Sequence, residues 1–153
     1  MTKLENQPEA KQIKRSLFIA FSLVFLVWLT KLLEISFQLD LTFLGIRPLT
    51  IPGLLGIVTT PFVHSDFKHL FSNTAPLFFL TWILFELYKG EALKILIANW
   101  LLTGALSWLM GRDSVHIGAS GIVYSLAAFH FTSGIIKKNP RLMTLSLLII
   151  FLY

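Results

Sequence analysis

Residues 118–136 have the sequence GASGIVYSLAAFHFTSGII, a strongly apolar run that opens with a serine between glycines. At 3.6 residues per turn the run is long enough for about five turns of helix. Lysines, asparagine and proline follow at residues 137–140, and such residues end a helix. The sequence therefore predicts a helix that begins at or near Gly118 and ends at about Ile136.

The composition of the whole chain places it in a membrane. Hydrophobic residues make up 55% and charged residues 14% of its 153 residues, and the mean hydropathy is +0.73. Such a chain carries too little polar surface to cover a soluble globule. There is no cysteine, which excludes disulfides and thiolate chemistry.

Three further apolar runs, residues 17–37, 68–87 and 95–111, are each about long enough to cross ~30 Å of hydrocarbon. A last run, residues 142–153, reaches only about 18 Å as a helix. We therefore expect a truncated chain with four complete spans and a partial fifth. The predicted fold class is all-α, a polytopic membrane helix bundle. Residues 1–16 are expected to be a cytoplasmic polar tail, and residues 17–153 a single partial transmembrane domain.

The segment of residues 40–63 is apolar but unsuited to a span. Prolines and glycines interrupt it and would leave backbone groups unpaired in lipid. The sequence predicts a loop lying partly in the membrane interface, with a short helix around residues 54–58. The interrupting residues are Pro48, Pro52, Gly53, Gly56 and Pro61.

The basic residues indicate the orientation of the spans. With four complete spans, nine of the thirteen lysines and arginines fall on the side of the N-terminus, the pattern of a cytoplasmic N-terminus. The net charge of +5 is spread between apolar runs rather than gathered on one face, which argues against nucleic-acid binding. The four lysines and arginines on the side opposite to the N-terminus are Lys31, Arg47, Lys68 and Arg112.

Polar residues inside the predicted spans are costly in lipid and therefore informative. His69 and Asn73 are four residues apart, hence on one face of a helix, and His64 stands just before that helix. Ser120 and Tyr124 share a face of the fourth span in the same way. We expect these two polar faces to meet inside the bundle.

These residue types suit acyl transfer. A serine at a helix N-terminus lies where backbone N–H groups can help to hold an oxyanion, and His69 and Asn73 could add hydrogen bonds. The serine also needs a general base. His130 lies roughly 15 Å along the helix from Ser120, and His116 lies in the preceding loop. The base is therefore expected outside these residues.

The combination of His64, His69 and Asn73 in H-x4-H-x3-N spacing with the stretch of residues 118–121 and Tyr124 resembles the rhomboid family of intramembrane serine proteases. The stretch GIVTTPFVH, residues 56–64, also resembles that family. The resemblance implies a six-helix bundle with a serine and histidine dyad below the membrane surface, reached by water from outside. It also implies that the histidine base lies on the sixth helix, beyond residue 153.

The resemblance further implies a role for each matching residue. Ser120 matches the nucleophile, and His69 and Asn73 match the side chains that stabilise the oxyanion. His64 matches a histidine that supports the site, and Gly118 a position whose backbone contributes to the oxyanion region. The remaining match, Tyr124, corresponds to a ring that stacks on the catalytic histidine.

Other interpretations are open. Ser120 could serve helix packing alone, and the protein could be a non-catalytic rhomboid-like protein that binds membrane helices, or a small transporter. A metal site is disfavoured because His64 and His69 fall on different helix faces and a third ligand is not evident. We expect no cofactor. The expected partners are transmembrane-helix substrates and the lipid bilayer, in a prokaryotic plasma (inner) membrane.

Overall fold

The protein is built of helices joined by loops and short 3-10 turns in the computed structural model, which describes residues 7–153. No β-strand occurs within this range, and the predicted all-α class is confirmed. The helices are α1 (Gln7–Ser36), α2 (Gly56–Thr59), α3 (Phe67–Tyr88), α4 (Ala92–Met110), α5 (Ser120–Ile136) and α6 (Pro140–Leu152).

The helix bounds differ from the predicted spans mainly at the N-terminus. Helix α1 begins at Gln7, ten residues before the first apolar run, because hydropathy marks where apolar side chains begin and not where backbone hydrogen bonding begins. The first six residues of the predicted tail lie outside the described residues. Helices α3, α4 and α5 begin within three residues of their predicted starts.

Side-chain contacts at both ends of α1 fix its direction against α3. Near the start of α1, the Ser16 hydroxyl donates to Glu86 at 2.6 Å. Near its end, the Lys31 ammonium donates to the carbonyl of His64 at 2.8 Å. The two helices are therefore antiparallel. A further bond, from the Trp28 indole to the Thr74 hydroxyl at 3.0 Å, joins them midway.

Helix α5 runs parallel to α3. Its buried His130 contacts the carbonyl of Leu80 at 3.0 Å, and the hydroxyls of Tyr88 and Ser133 are hydrogen-bonded to each other one turn further along. The beginnings of α3 and α5 therefore lie at the same end of the bundle. Because α1 is antiparallel to α3, that end is opposite to the start of α1.

Small residues bring α4 close to its neighbours. A Cβ atom on Gly121 of α5 would lie 2.7 Å from the Thr103 methyl group of α4. A Cβ on Gly104 would lie 2.7 Å from the carbonyl oxygen of Ile57. Helix α4 is thus held tightly between α5 and the loop segment before α3.

The segment between α1 and α3 is a loop of short turns, as predicted. The expected short helix at residues 54–58 is observed as the 3-10 turn Pro52–Leu54, the single turn α2 and the 3-10 turn Thr60–Phe62. The loop is tied to the segment before α5 by an isolated antiparallel bridge between Ile46 and His116. The two backbone hydrogen bonds of that bridge measure 2.9 and 2.8 Å.

The outside of the bundle is apolar. Large side chains such as Phe18, Ile51 and Met110 are 70%, 83% and 76% exposed, and a soluble monomer rarely carries so continuous an apolar surface. Two stretches, Glu9–Ser36 and Phe67–Met110, are long and apolar enough to cross a membrane by length and composition. The number of spans stays a prediction.

The start of α6 provides a test of the fold. The Asn139 side chain accepts a hydrogen bond from the Leu142 N–H at 3.2 Å, and Pro140 occupies the first turn. We expect Asn139→Ala to lower the free energy of unfolding by about 1 kcal/mol, because the N-terminal amide loses its acceptor. Denaturation of the protein in detergent measures this. Asn139→Asp keeps the acceptor and should stay near wild type; an equal loss in both variants would contradict the capping role.

Candidate functional site

The beginning of α3 is fixed by an acidic cap. The Asp66 carboxylate accepts the N–H of His69 at 2.8 Å and the Ser65 hydroxyl at 2.9 Å. These bonds hold the pKa of Asp66 below its ordinary value. An aspartate at this position satisfies an amide that the helix leaves unpaired and complements the helix dipole. The cap therefore sets where His69 stands.

The ring of His69 is held on two sides. Its Nδ1 lies 3.3 Å from the hydroxyl oxygen of Ser65, and the ring of His64 packs edge-on with the centroids 4.9 Å apart. The tautomer of the His69 ring decides whether Nδ1 or the Ser65 hydroxyl donates in this contact. The opposite ring nitrogen, Nε2, then faces the segment before α5.

Asn73 lies one turn further along the same face and is buried at 1% exposure. Its amide nitrogen donates one hydrogen to the carbonyl of His69 at 2.8 Å, and its oxygen accepts the Tyr153 hydroxyl at 2.9 Å. The amide group carries a second hydrogen, for which no partner is found among the described residues. Asn73 thus retains one hydrogen-bond donor.

Gly118 brings the segment before α5 against the ring of His69. Its φ of +104° belongs to the left-handed region, and a Cβ atom there would lie 2.5 Å from Nε2 of His69. Only glycine fits both constraints. The Gly118 N–H donates to the carbonyl of Thr60 at 3.0 Å, which ties this turn to the loop before α3.

Ser120 is the first residue of α5, two positions after this glycine. Together with His69 and Gly118 it lines a cavity of about 360 Å³ between α3, α4, α5 and the loop. The structure therefore brings Ser120 and His69 to one cavity, with His64 behind the His69 ring. The other polar residues that line the cavity are Thr60, Ser65, Thr103, Ser107, Arg112, Ser114 and His116.

Tyr124 lies on the outer part of the same face of α5 and is 51% exposed. Its ring packs edge-on against Tyr153, with centroids 5.2 Å apart. The Tyr153 hydroxyl lies beside the Ser120 side chain as well as on Asn73. Tyr153 is therefore a neighbour of the site that the sequence alone did not indicate.

The two remaining histidines differ in their relation to this cavity. His116 lines the same cavity as Ser120, and its Nε2 lies 3.0 Å from the carbonyl of Arg112. His130 is fully buried between α5 and α3. Within residues 7–153 no group of three or more His, Asp or Glu side chains is placed to hold a metal ion.

The chain has relatives among known proteins. The Rhomboid domain profile matches residues 52–153, a range that includes every residue of the site described above. The chain belongs to the rhomboid family. It is accordingly a membrane protein, since rhomboid domains reside in the bilayer.

Among curated proteins, the rhomboid chain is similar to uncharacterized proteins of mycobacteria. It is 29% identical over 136 residues to one from Mycobacterium bovis and one from Mycobacterium tuberculosis, covering 85% of this chain and 57% of each relative. A protein of Mycobacterium leprae is 28% identical over 120 residues, with 74% and 48% covered. The chain thus spans about half the length of these relatives. No solved structure matches it.

Several residues of the site were missed by sequence reasoning. Asp66 carried a usable signal, since an acidic residue directly before a helical pattern is a typical N-cap. The pairing of the loop with the segment before α5 has no sequence signal, because Thr60 contributes a backbone carbonyl that any residue possesses. The Thr60 hydroxyl also donates to the His116 carbonyl at 2.6 Å, which strengthens the same junction.

The Gly118 turn can be tested by adding a single methyl group. We expect Gly118→Ala to lower the free energy of unfolding by about 1–3 kcal/mol, because alanine is strained at this φ and its Cβ would displace the His69 ring. Gly90→Ala is the matched control, since a Cβ there meets nothing within 4 Å. Thermal denaturation in detergent compares the two. Equal stability of both variants would refute the close approach.

His64 provides a test by pH. Burial, followed by the nearby His69, lowers the pKa of His64 to about 4 from its ordinary 6.5. Between these values the unfolded chain binds a proton at residue 64 that the folded protein does not. We expect stability to fall as pH drops from 6.5 to 4, by up to about 1.4 kcal/mol per pH unit from this group.

His64→Gln removes this titration, so its unfolding free energy should depend less steeply on pH than that of the wild type. Unfolding curves at pH 7, 6 and 5 measure the two slopes. If the slopes are the same, burial does not keep His64 neutral.

Proposed function

We propose that the protein is an intramembrane serine endopeptidase that cleaves transmembrane helices of membrane-protein substrates, with Ser120 as the nucleophile. The observation that carries the proposal is the position of Ser120 at the N-terminus of α5, in the same polar cavity as His69. Rhomboid proteins are generally serine proteases of this kind and act on substrates in the bilayer, which supports the same conclusion.

In this proposal Ser120 Oγ attacks the carbonyl carbon of the substrate peptide bond and its proton passes to a histidine base. The negative charge that develops on the carbonyl oxygen needs hydrogen-bond donors. The proposed donors are the backbone N–H groups at the start of α5, the second amide hydrogen of Asn73, and Nε2–H of His69 in the tautomer that carries its proton on Nε2. Gly118 supports this arrangement because its missing side chain leaves Nε2 unobstructed.

The base is proposed to come from chain beyond residue 153. Of the four histidines, His64 is buried behind His69, and His130 contacts Leu80 far along α5. His116 also lines the cavity, but its Nε2 lies against the carbonyl of Arg112 in its own loop. His69 is proposed as an oxyanion donor. The mycobacterial relatives are longer than this chain, which leaves room for a further helix.

The membrane arrangement is proposed as four complete spans and a partial fifth, with a cytoplasmic N-terminus in a prokaryotic plasma membrane. Support comes from the bundle itself, because the site lies at the opposite end from the start of α1. A cytoplasmic N-terminus then places the cavity toward the outer side, where water is available for hydrolysis. The bacterial sources of the relatives support the prokaryotic assignment. Tyr124 and Tyr153 are proposed to border the space for substrate.

Removal of the Ser120 hydroxyl tests the function. The full-length protein that contains this chain is placed in liposomes with a reporter transmembrane helix, and cleavage products are quantified. We expect Ser120→Ala to reduce turnover by more than about 10³-fold, and Asn73→Ala to reduce it by about 10²- to 10³-fold through the lost oxyanion donor.

Ser125→Ala is the matched control. This serine lies on the same helix, but its hydroxyl bonds to the Ile122 carbonyl of its own turn at 3.2 Å. The control should cleave at the wild-type rate. Undiminished cleavage by Ser120→Ala would remove Ser120 from the mechanism. A wild-type protein that binds the reporter helix without cleaving it would favour the non-catalytic alternative.

A further inference from the structure

Helix α1 contributes a charged residue that lies outside the polar faces discussed so far. Lys31 is 7% exposed, although it belongs to a helix whose outer surface is largely apolar. Its ammonium donates to Glu34 at 2.8 Å, to the His64 carbonyl at 2.8 Å and to the Ser65 carbonyl at 3.1 Å. An ammonium has three hydrogens, so all of its donors are used.

The two backbone carbonyls are the important partners. Residues 64 and 65 precede α3, where the chain makes no helical bonds of its own. Their buried or partly buried carbonyls therefore need an outside donor. Lys31 supplies it from α1, directly behind the residues that cap α3. The side chains of the same two residues contact His69: the Ser65 hydroxyl lies against its Nδ1, and the His64 ring packs on its ring.

We propose that Lys31 is a positioning residue for the proposed protease, which anchors the backbone at residues 64–65 and so holds His69 at Gly118. Glu34 has a different part. It compensates the charge of the buried ammonium, which would otherwise be costly to bury. The inference rests on the proposed function for its kinetic consequence, whereas the anchoring itself is independent of catalysis.

The kinetic test replaces the ammonium with an apolar group of similar length. We expect Lys31→Met, measured per folded molecule in liposomes, to lower kcat by about 10- to 100-fold, because a small displacement of catalytic groups has effects of this size. KM should change by less than about twofold, since Lys31 lies behind the cavity and does not touch substrate. A variant that keeps the wild-type kcat would overturn the proposal.

Two further variants separate anchoring from charge and from general stability. Glu34→Gln removes the ion pair but leaves both carbonyl bonds of Lys31. Its stability should fall because the buried ammonium loses its counter-charge, whereas its kcat per folded molecule should fall by less than about threefold. A fall as large as that of Lys31→Met would overturn the anchoring role. Lys94→Met removes another i,i+3 ion pair, that of Lys94 with Glu91, whose side chains are 76% and 66% exposed. This variant should leave kcat unchanged.

Chemical rescue covers the case in which Lys31→Met folds poorly. These 153 residues contain no cysteine, so Lys31→Cys introduces a single reactive thiol into this part of the protein. Alkylation with 2-bromoethylamine then restores an ammonium at nearly the original length. We expect the alkylated protein to regain at least half of the wild-type kcat. A rescued fold without rescued kcat would contradict the proposal.

Hydrogen exchange distinguishes failure of the anchor from failure of the function. The N–H groups of His69 and Leu70 are bonded to Asp66, and we expect them to exchange at least about tenfold faster in Lys31→Met than in Lys94→Met. If the wild type has no protease activity but this difference is present, only the proposed function fails. If cleavage is intact and exchange is unchanged, only the anchor fails.

Discussion

The structure depends on one close approach, that of the Gly118 backbone to the ring of His69. A methyl group at residue 118 would stand 2.5 Å from the ring nitrogen, so this approach is possible only because residue 118 has no side chain. The positive φ of the same residue turns the chain directly into α5. Gly118 thus meets two requirements at once, the absence of a Cβ beside His69 and a positive φ. Both determine where Ser120 lies at the start of α5.

On the Gly118 side, that approach is maintained by backbone hydrogen bonds. The segment before α5 pairs with Ile46 and with the Thr60 carbonyl, both in the irregular loop between α1 and α3. The loop in turn packs on α4, where Gly104 allows the Ile57 carbonyl to come near. The prolines and glycines that make this segment unsuitable as a span therefore give it the turns that join three parts of the bundle.

The sequence was sufficient for the helices and for the faces of α3 and α5, because apolar runs and four-residue spacing are local properties. It could not place Gly118 on His69, since that contact joins residues about fifty positions apart through a loop without periodicity. Asp66 was recognisable as a cap in principle. Lys31 was predicted only as one of four basic residues on the side opposite to the N-terminus, because its bonds to the carbonyls of residues 64 and 65 depend on the antiparallel packing of α1 and α3.

The same polar contacts have a second consequence in lipid. Apolar side chains gain little from leaving hydrocarbon for a protein interior, so helices in a membrane associate through close packing of small residues and hydrogen bonds. In this bundle those interactions include Gly121 on Thr103, Trp28 with Thr74, and Lys31 with the backbone before α3. Two of these three lie beside the cavity. Association of the helices and assembly of the site are therefore carried in part by the same atoms, and the polar residues cannot be assigned to function alone.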